Sequence, residues 1–269
     1  MSVTDDVLVF EHHGSRLTYR RFGNGPAVLL AFHGFGQSHV VYEPVVATAG
    51  SRFTVYAIDL FLHGGSRHVG RSLLTKTDWQ RFIGAFMDEQ RINQFSLLGF
   101  SLGGRFALAT VEAFADRIDE LILIAPDSIT RSPWYRLATG SAAGRMLFRY
   151  VLEHRTTFNR VGYALVRLGL LNRTAMRFAE TSLATPEQRA LVYAVWTHFR
   201  QIRPNLPAVA TLLNQRTIRV RFVVGVYDRI VPAHYVLPLT KRLRRYELVS
   251  LNAGHNRLID RIAGVTDSD

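Results

Sequence analysis

Gln94-Phe95-Ser96-Leu97-Leu98-Gly99-Phe100-Ser101-Leu102-Gly103-Gly104 (QFSLLGFSLGG) joins an apolar run to a serine set among glycines. Gln94–Phe100 is a short apolar run, the pattern of a strand buried on both faces. Leu102–Phe114 reads as a helix beginning directly behind it. Between them Gly99-Phe100-Ser101-Leu102-Gly103 forms a G-x-S-x-G pentapeptide. A serine on a strand-to-helix turn this tight has its hydroxyl pushed out of the chain. Glycines two residues to either side are required where side chains would strike the neighbouring strand and helix. The N-terminus of the following helix favours negative charge developing at that point.

Similar apolar runs lie on both sides. Ala27–Phe32 (AVLLAF), Phe53–Leu60 and Glu120–Ala125 precede and follow the pentapeptide, and Val7–Glu11 and Arg16–Phe22 read as a hairpin turning at His13-Gly14. Thr77–Gln90 reads as a helix with Thr77 as its cap and with Trp79, Phe82, Ile83 and Phe86 on one face. Strand and helix in alternation predict a parallel sheet with helices on both faces. The alternation stops at Ser128. Helical patterns follow at Gly144–His154, Arg160–Leu171 and Thr185–Arg200, with Pro204 and Pro207 expected to break what comes next. Strand patterns return at Ile218–Val226 and Arg245–Asn252, with a helix expected at Ala233–Leu243 between them. The expected organisation is a core of residues 1–127 and 217–269, interrupted by a helical insertion of residues 128–216.

Composition narrows the function classes. The chain has 269 residues, 48% of them apolar, and a net charge of +12. A chain of this size buries about 70% of its unfolded surface, enough for one substantial core. There is no cysteine, which excludes disulfides, thiolate metal sites and a cysteine nucleophile. Lys76 and Lys241 are the only lysines. Residues 128–216 hold thirteen arginines against Glu153, Glu180 and Glu187. Charge concentrated in one segment, without a helix-turn-helix, zinc-finger or RNA-binding sheet motif, argues against a nucleic-acid partner. It suits an acidic partner at the insertion, either an acyl-carrier protein or an anionic membrane surface. Asp5 and Asp6 stand where a signal peptide needs basic residues, and the apolar runs are strand-sized, so a soluble cytoplasmic protein is expected.

A serine hydroxyl needs a base and an acid to act as a nucleophile. His255, in Asn252-Ala253-Gly254-His255-Asn256, follows the last strand, and Asp228, in Gly225-Val226-Tyr227-Asp228-Arg229, follows the strand before it. Loops at the C-terminal edge of a parallel sheet are where such sites assemble. Asp127, after Glu120–Ala125, is the rival acid. Two backbone N–H groups are candidates for holding an oxyanion: Leu102, next to the serine, and Phe35, in Phe32-His33-Gly34-Phe35-Gly36 after the AVLLAF strand. No metal spacing and no phosphate or dinucleotide loop is present, so no cofactor is expected; Gly23-Asn24-Gly25-Pro26 lacks the rest of G-x-G-x-x-G.

Taken together, HGFGQS (33–38), DLFLHGGS (59–66), GFSLGG (99–104), GVYDRIVP (225–232) and NAGHN (252–256) resemble the α/β-hydrolase superfamily, in its serine esterase and hydrolase branch with a helical cap. The order Ser101, Asp228, His255 is that family's order. The resemblance implies an eight-stranded, mostly parallel α/β sheet with the cap inserted after the sixth strand. It also implies cleavage of a carboxylic ester or thioester through an acyl-enzyme; the apolar residues of the insertion, Phe148, Tyr150, Tyr193 and Trp196 among them, suit a small molecule with an apolar acyl or aryl group. Carbon–carbon bond hydrolysis, lactonase and cofactor-free perhydrolase activity share the same residues, as does a triad-containing small-molecule receptor. One departure stands out: Phe61 and Leu62 occupy positions where the family's D-x-P-G-H-G-x-S segment has Pro and Gly, while Asp59, His63 and Ser66 are kept as residues that shape the loop.

Overall fold

A computed structural model describes residues 6–45, 50–70, 73–130 and 133–264. Eight strands form one sheet: β1 (Leu8–His12), β2 (Ser15–Phe22), β3 (Ala27–Phe32), β4 (Phe53–Ile58), β5 (Phe95–Phe100), β6 (Ile118–Ile124), β7 (Arg219–Gly225) and β8 (Glu247–Leu251). Their spatial order is β1-β2-β4-β3-β5-β6-β7-β8. β1 and β2 pair antiparallel through the turn at His13-Gly14, where both residues have positive φ, and β2 is antiparallel to β4. Every other pairing is parallel. The sheet is therefore the mostly parallel, eight-stranded α/β arrangement expected. Its central strands β4 and β5 are buried at every residue, which is why they read as unbroken apolar runs rather than alternating ones.

The helices are α1 (Lys76–Glu89), α2 (Leu102–Phe114), α3 (Pro133–Gly140), α4 (Ala142–Glu153), α5 (Arg155–Arg167), α6 (Arg173–Ser182), α7 (Pro186–His198), α8 (Leu206–Gln215) and the short α9 (Leu237–Thr240). Three local expectations are corrected. The cap of α1 is Thr75, not Thr77: its hydroxyl accepts from Asp78 N–H, while Asp78 in turn accepts from the Thr75 N–H. That reciprocal pair satisfies two end groups at once, which a cap at Thr77 would not. Pro207 does not break a helix but sits in the first turn of α8, where its missing N–H is no loss. The Ala233–Leu243 pattern yields a 3-10 turn and one turn of α-helix.

The chain divides into two compact units, Met1–Thr130 with Ile202–Asp269, and Arg131–Gln201. The first carries the sheet, α1, α2, α8 and α9. In the second, α3–α7 pack on their own aromatic centre. Phe148 stacks on Trp196 at 5.0 Å and meets Tyr193 at 5.9 Å, and the Tyr135 hydroxyl donates to Trp196 O. Ser141, Asn172 and Thr185 cap α4, α6 and α7 through their side-chain oxygens. Among the described residues no helix is long and apolar enough to cross a membrane.

Close backbone approach at the turn after β5 is the tightest steric demand in the sheet unit. A Cβ on Gly103 would sit 1.8 Å from Phe32 O, and one on Gly99 would sit 2.8 Å from Gly103 O. Gly103→Ala should therefore lower unfolding stability by at least about 3 kcal/mol, or prevent folding. Gly140→Ala, where a Cβ meets nothing within 4 Å, should be neutral or stabilising by up to about 1 kcal/mol. Urea unfolding of the two variants beside the parent checks the contrast; equal effects would mean that the turn has room to relax.

Candidate active site

Ser101 is the hinge between β5 and α2. Its backbone is held at φ 49°, ψ −113°, a region that costs a non-glycine residue on the order of 1–3 kcal/mol. The strain is held in place on every side. Ser101 N–H donates to Ile124 O at 2.9 Å, and its carbonyl accepts from Gly104 N–H at 3.0 Å and Asp127 N–H at 3.2 Å. The side chain is buried and lies at the C-terminal edge of the sheet, with α2 starting at the next residue.

His255 and Asp228 come from the loops after β8 and β7. His255 Nε2 lies 3.0 Å from Ser101 Oγ, and His255 Nδ1 lies 2.6 Å from Asp228 Oδ2. The second carboxylate oxygen, Oδ1, accepts from the N–H groups of Ile230 and Val231, each at 2.8 Å. Asp228 is buried and accepts from all three directions. The arrangement assigns the imidazole proton to Nδ1 and leaves the Nε2 lone pair facing the serine hydroxyl. The Phe100 ring packs against His255 with centroids 5.2 Å apart. Asp127, the rival acid, pairs with Arg105 of α2 at 3.0 Å. All of these residues belong to the sheet unit. Such a hydrogen-bonded series can move a proton from a hydroxyl to an imidazole while a carboxylate holds the ring and compensates the charge that forms.

Leu102 N–H is the first of α2 and has no intrahelical acceptor. Phe35 lies in a loop whose shape is set by two histidines acting reciprocally. His33, on the loop after β3, accepts at Nε2 from Leu60 N–H of the loop after β4, at 2.9 Å. His63, on the loop after β4, accepts at Nε2 from Gly36 N–H of the loop after β3, at 3.1 Å. Each Nδ1 donates to a carbonyl of its own loop, Gly34 O at 2.7 Å and Phe61 O at 3.1 Å. Gly34 N–H is also engaged, by Gln37 Oε1. The backbone on both sides of Phe35 is thereby fixed. Both rings need an unprotonated Nε2 to make this brace. Burial pushes His33 down to about 3, with His63 beside it acting in the same direction, and burial also lowers His63.

Beneath the brace lies Asp59. It accepts from His39 N–H at 2.6 Å, from the Thr18 hydroxyl at 2.8 Å, and sits about 3 Å from His39 Nδ1. Ser66 donates to Asp59 O and accepts from Thr18 N–H. Thr18 and His39 carry no sequence signal: a threonine inside a strand and a histidine in a 3-10 turn have no spacing to mark them, and Thr18 lies more than forty residues from Asp59. Leu62 stands at φ 68°. That left-handed conformation explains why glycine is the family's residue there and why leucine is a departure with a cost. Among the described residues no group of three or more His, Asp or Glu side chains is placed to hold a metal ion.

Comparison with known proteins agrees with the fold. Residues 27–262 match the alpha/beta hydrolase fold family, and the chain belongs to that family. A pimeloyl-[acyl-carrier protein] methyl ester esterase of Nitrosomonas europaea is 25% identical over 251 residues, covering 87% of this chain and 90% of that one. An uncharacterized protein of Mycobacterium tuberculosis is 34% identical over 121 residues, 44% of this chain, and the match spans only about a third (34%) of that protein's length. Among solved structures, a hydrolase from Pseudomonas aeruginosa superposes with a TM-score of 0.68 at 19% identity, covering 98% of this chain and 96% of that one.

The histidine brace makes a pH prediction. His33 has a folded pKa of about 3 against an ordinary value of 6.5. Above about pH 6.5 it is neutral in both states and costs nothing. As pH falls from 6.5 toward 3 the unfolded chain takes up a proton that the folded chain refuses, so stability is lost on acidification. The slope is about 1.4 kcal/mol per pH unit for each such histidine, or about 2 kcal/mol between pH 7 and pH 5 for His33. Urea unfolding at both pH values should show that His33→Gln, whatever its stability at pH 7, loses about 2 kcal/mol less than the parent on acidification. Identical losses would mean that His33 is not held neutral.

Proposed function

We propose that this member of the alpha/beta hydrolase family cleaves a carboxylic ester or thioester by way of an acyl-enzyme on Ser101. The observation that carries the reading is the unbroken series Asp228 Oδ2–His255 Nδ1, His255 Nε2–Ser101 Oγ at 2.6 and 3.0 Å, set at the start of a helix. In this reading Ser101 Oγ attacks the carbonyl carbon as His255 Nε2 takes the hydroxyl proton. Asp228 keeps the ring in the required tautomer and stabilises the imidazolium. The oxyanion is held by the N–H groups of Leu102 and Phe35, the second kept in place by the histidine brace. His255 then returns the proton to the leaving alcohol or thiol. A water, activated by the same ring, attacks the acyl-enzyme and frees the acid and Ser101.

Support for an acyl ester as substrate comes from the Nitrosomonas relative, whose name specifies a methyl ester carried on an acyl-carrier protein. The helical unit is the proposed cap that selects the acyl or aryl group. Its arginine excess makes an anionic presenter of the substrate, an acyl-carrier protein or a membrane surface, part of the same reading.

Turnover of a p-nitrophenyl ester series tests this. Ser101→Ala should lower kcat by roughly 10⁴-fold or more with the fold intact, because the three groups act as a unit. A fluorophosphonate probe should label the parent at Ser101 and leave the variant unlabelled. Asp228→Asn should cost roughly 10²–10⁴-fold. Asp127→Asn, which removes a carboxylate paired with Arg105, should remain within about tenfold of the parent. Near-parent turnover by Ser101→Ala would end the proposal, and a crippled Asp127→Asn beside an active Asp228→Asn would move the acid to β6.

A further inference from the structure

The helices of the second unit are apolar on two sides, and only one side is buried. In α4 the inner side is clear: Leu152 is buried and Phe148 packs on Tyr193 and Trp196. Met146, Leu147 and Tyr150, at the spacing of one helical face, point the other way and are 72%, 55% and 52% exposed. The same division runs through α5. Gly162 is buried against Met176, while Val161 and Leu168, the residue that caps the helix end, are exposed, the latter at 70%. In α3, Trp134 and Leu137 are exposed at a spacing of three. Isolated exposed apolar residues are ordinary, but a run of this size over three successive, contacting helices is not.

Charge accompanies these residues. Residues 131–201 contain eleven arginines, no lysine, no aspartate and three glutamates. Arg160 and Arg167 are seven apart on α5 and flank the Val161–Leu168 stripe; Arg173 and Arg177 share a face of α6. Among the described residues none of these four has a carboxylate partner. Two of the three acids are already engaged, Glu153 by Arg149 at 2.9 Å and Glu180 by the Tyr163 hydroxyl at 2.8 Å.

We infer that the exposed apolar residues and arginines of α3–α6 dock the helical unit on the surface of a bilayer containing anionic lipid. Two features together select that partner. Guanidinium groups pair with lipid phosphates in a bidentate way, and large apolar side chains beside them need a medium that is apolar just below its charged surface. A second copy of the chain would bring two arginine-rich faces together and be repelled. An acidic protein would satisfy the arginines but leave Met146, Leu147 and Leu168 without a role. The helices are too short and too charged to span, so they lie in the interface.

Co-sedimentation with vesicles tests the docking without recourse to turnover. The full chain should bind phosphatidylcholine vesicles containing about 30% phosphatidylglycerol at least roughly tenfold more tightly than phosphatidylcholine alone. The preference should collapse between 0.1 M and 1 M salt, where the Debye length falls from about 10 Å to about 3 Å. Leu147→Ser/Leu168→Ser removes apolar surface with charge kept, and Arg160→Gln/Arg167→Gln removes charge with apolar surface kept; each should lower partitioning at least roughly tenfold. Turnover of a short soluble ester should be unchanged in both. Ser101→Ala should bind as the parent does, so that docking and the proposed chemistry fail separately. Trp134 emission should shift to the blue on binding, an effect absent in Trp134→Phe. Equal binding to both vesicle types, undiminished binding by either double variant, or binding of a purified acidic acyl-carrier protein with the vesicles ignored would each overturn the inference. Should a double variant fail to fold, the lipid and salt comparisons on the parent chain still decide.

Discussion

The chain passes from β5 into α2 through a single residue, and that passage is possible only because the backbone of α2 lies against the end of β3. Gly103 is in contact with the Phe32 carbonyl, with no space for a methyl group. Once that contact is made, much else is determined. The serine is forced outward, the first N–H of α2 is left unpaired beside it, and the loop leaving β3 begins next to the serine. The site is a consequence of how closely a helix and a strand can approach when glycine supplies the surface between them.

How much of this was legible in sequence depended on whether the determining interaction was local. Strands buried on both faces announce themselves as apolar runs, and AVLLAF coincides with β3 residue for residue. The helix beginning at Leu102 was legible for the same reason, since its start is dictated by the glycines around it. Ser101, Asp228 and His255 were candidates because each closes a strand, and they meet because those strand ends share one edge of one sheet. What sequence did not disclose was set by contacts between distant segments. The reciprocity of His33 and His63 depends on two loops facing each other, and the placement of Thr18 against Asp59 depends on β2 running antiparallel to β4. In the second unit α3 and α6 are not singled out by sequence, because at eight and ten residues they offer fewer than three turns of pattern. Pro207 reads as a stop in sequence because a proline breaks a helix interior but fits its first turn.

Two opposite treatments of charge coexist in the molecule. Around the serine, burial keeps His33 and His63 uncharged, and their hydrogen bonds depend on that neutrality. In the helical unit the cations are arginines, which hold their charge at any pH in which the chain is folded. Acid therefore acts on the loops that frame the serine, while the arginines of the helical unit keep their charge.

Ser101 also bears on what has shaped the sequence. Its backbone occupies a conformation that glycine adopts without strain and serine does not. Glycines already fill positions 99, 103 and 104 around it. On backbone preference alone, glycine would be the residue favoured at 101 as well. On the function proposed above, a side chain placed there against the local gradient of stability serves for its reactivity. A lineage released from the reaction would be expected to drift at this position early, becoming more stable as it fell silent.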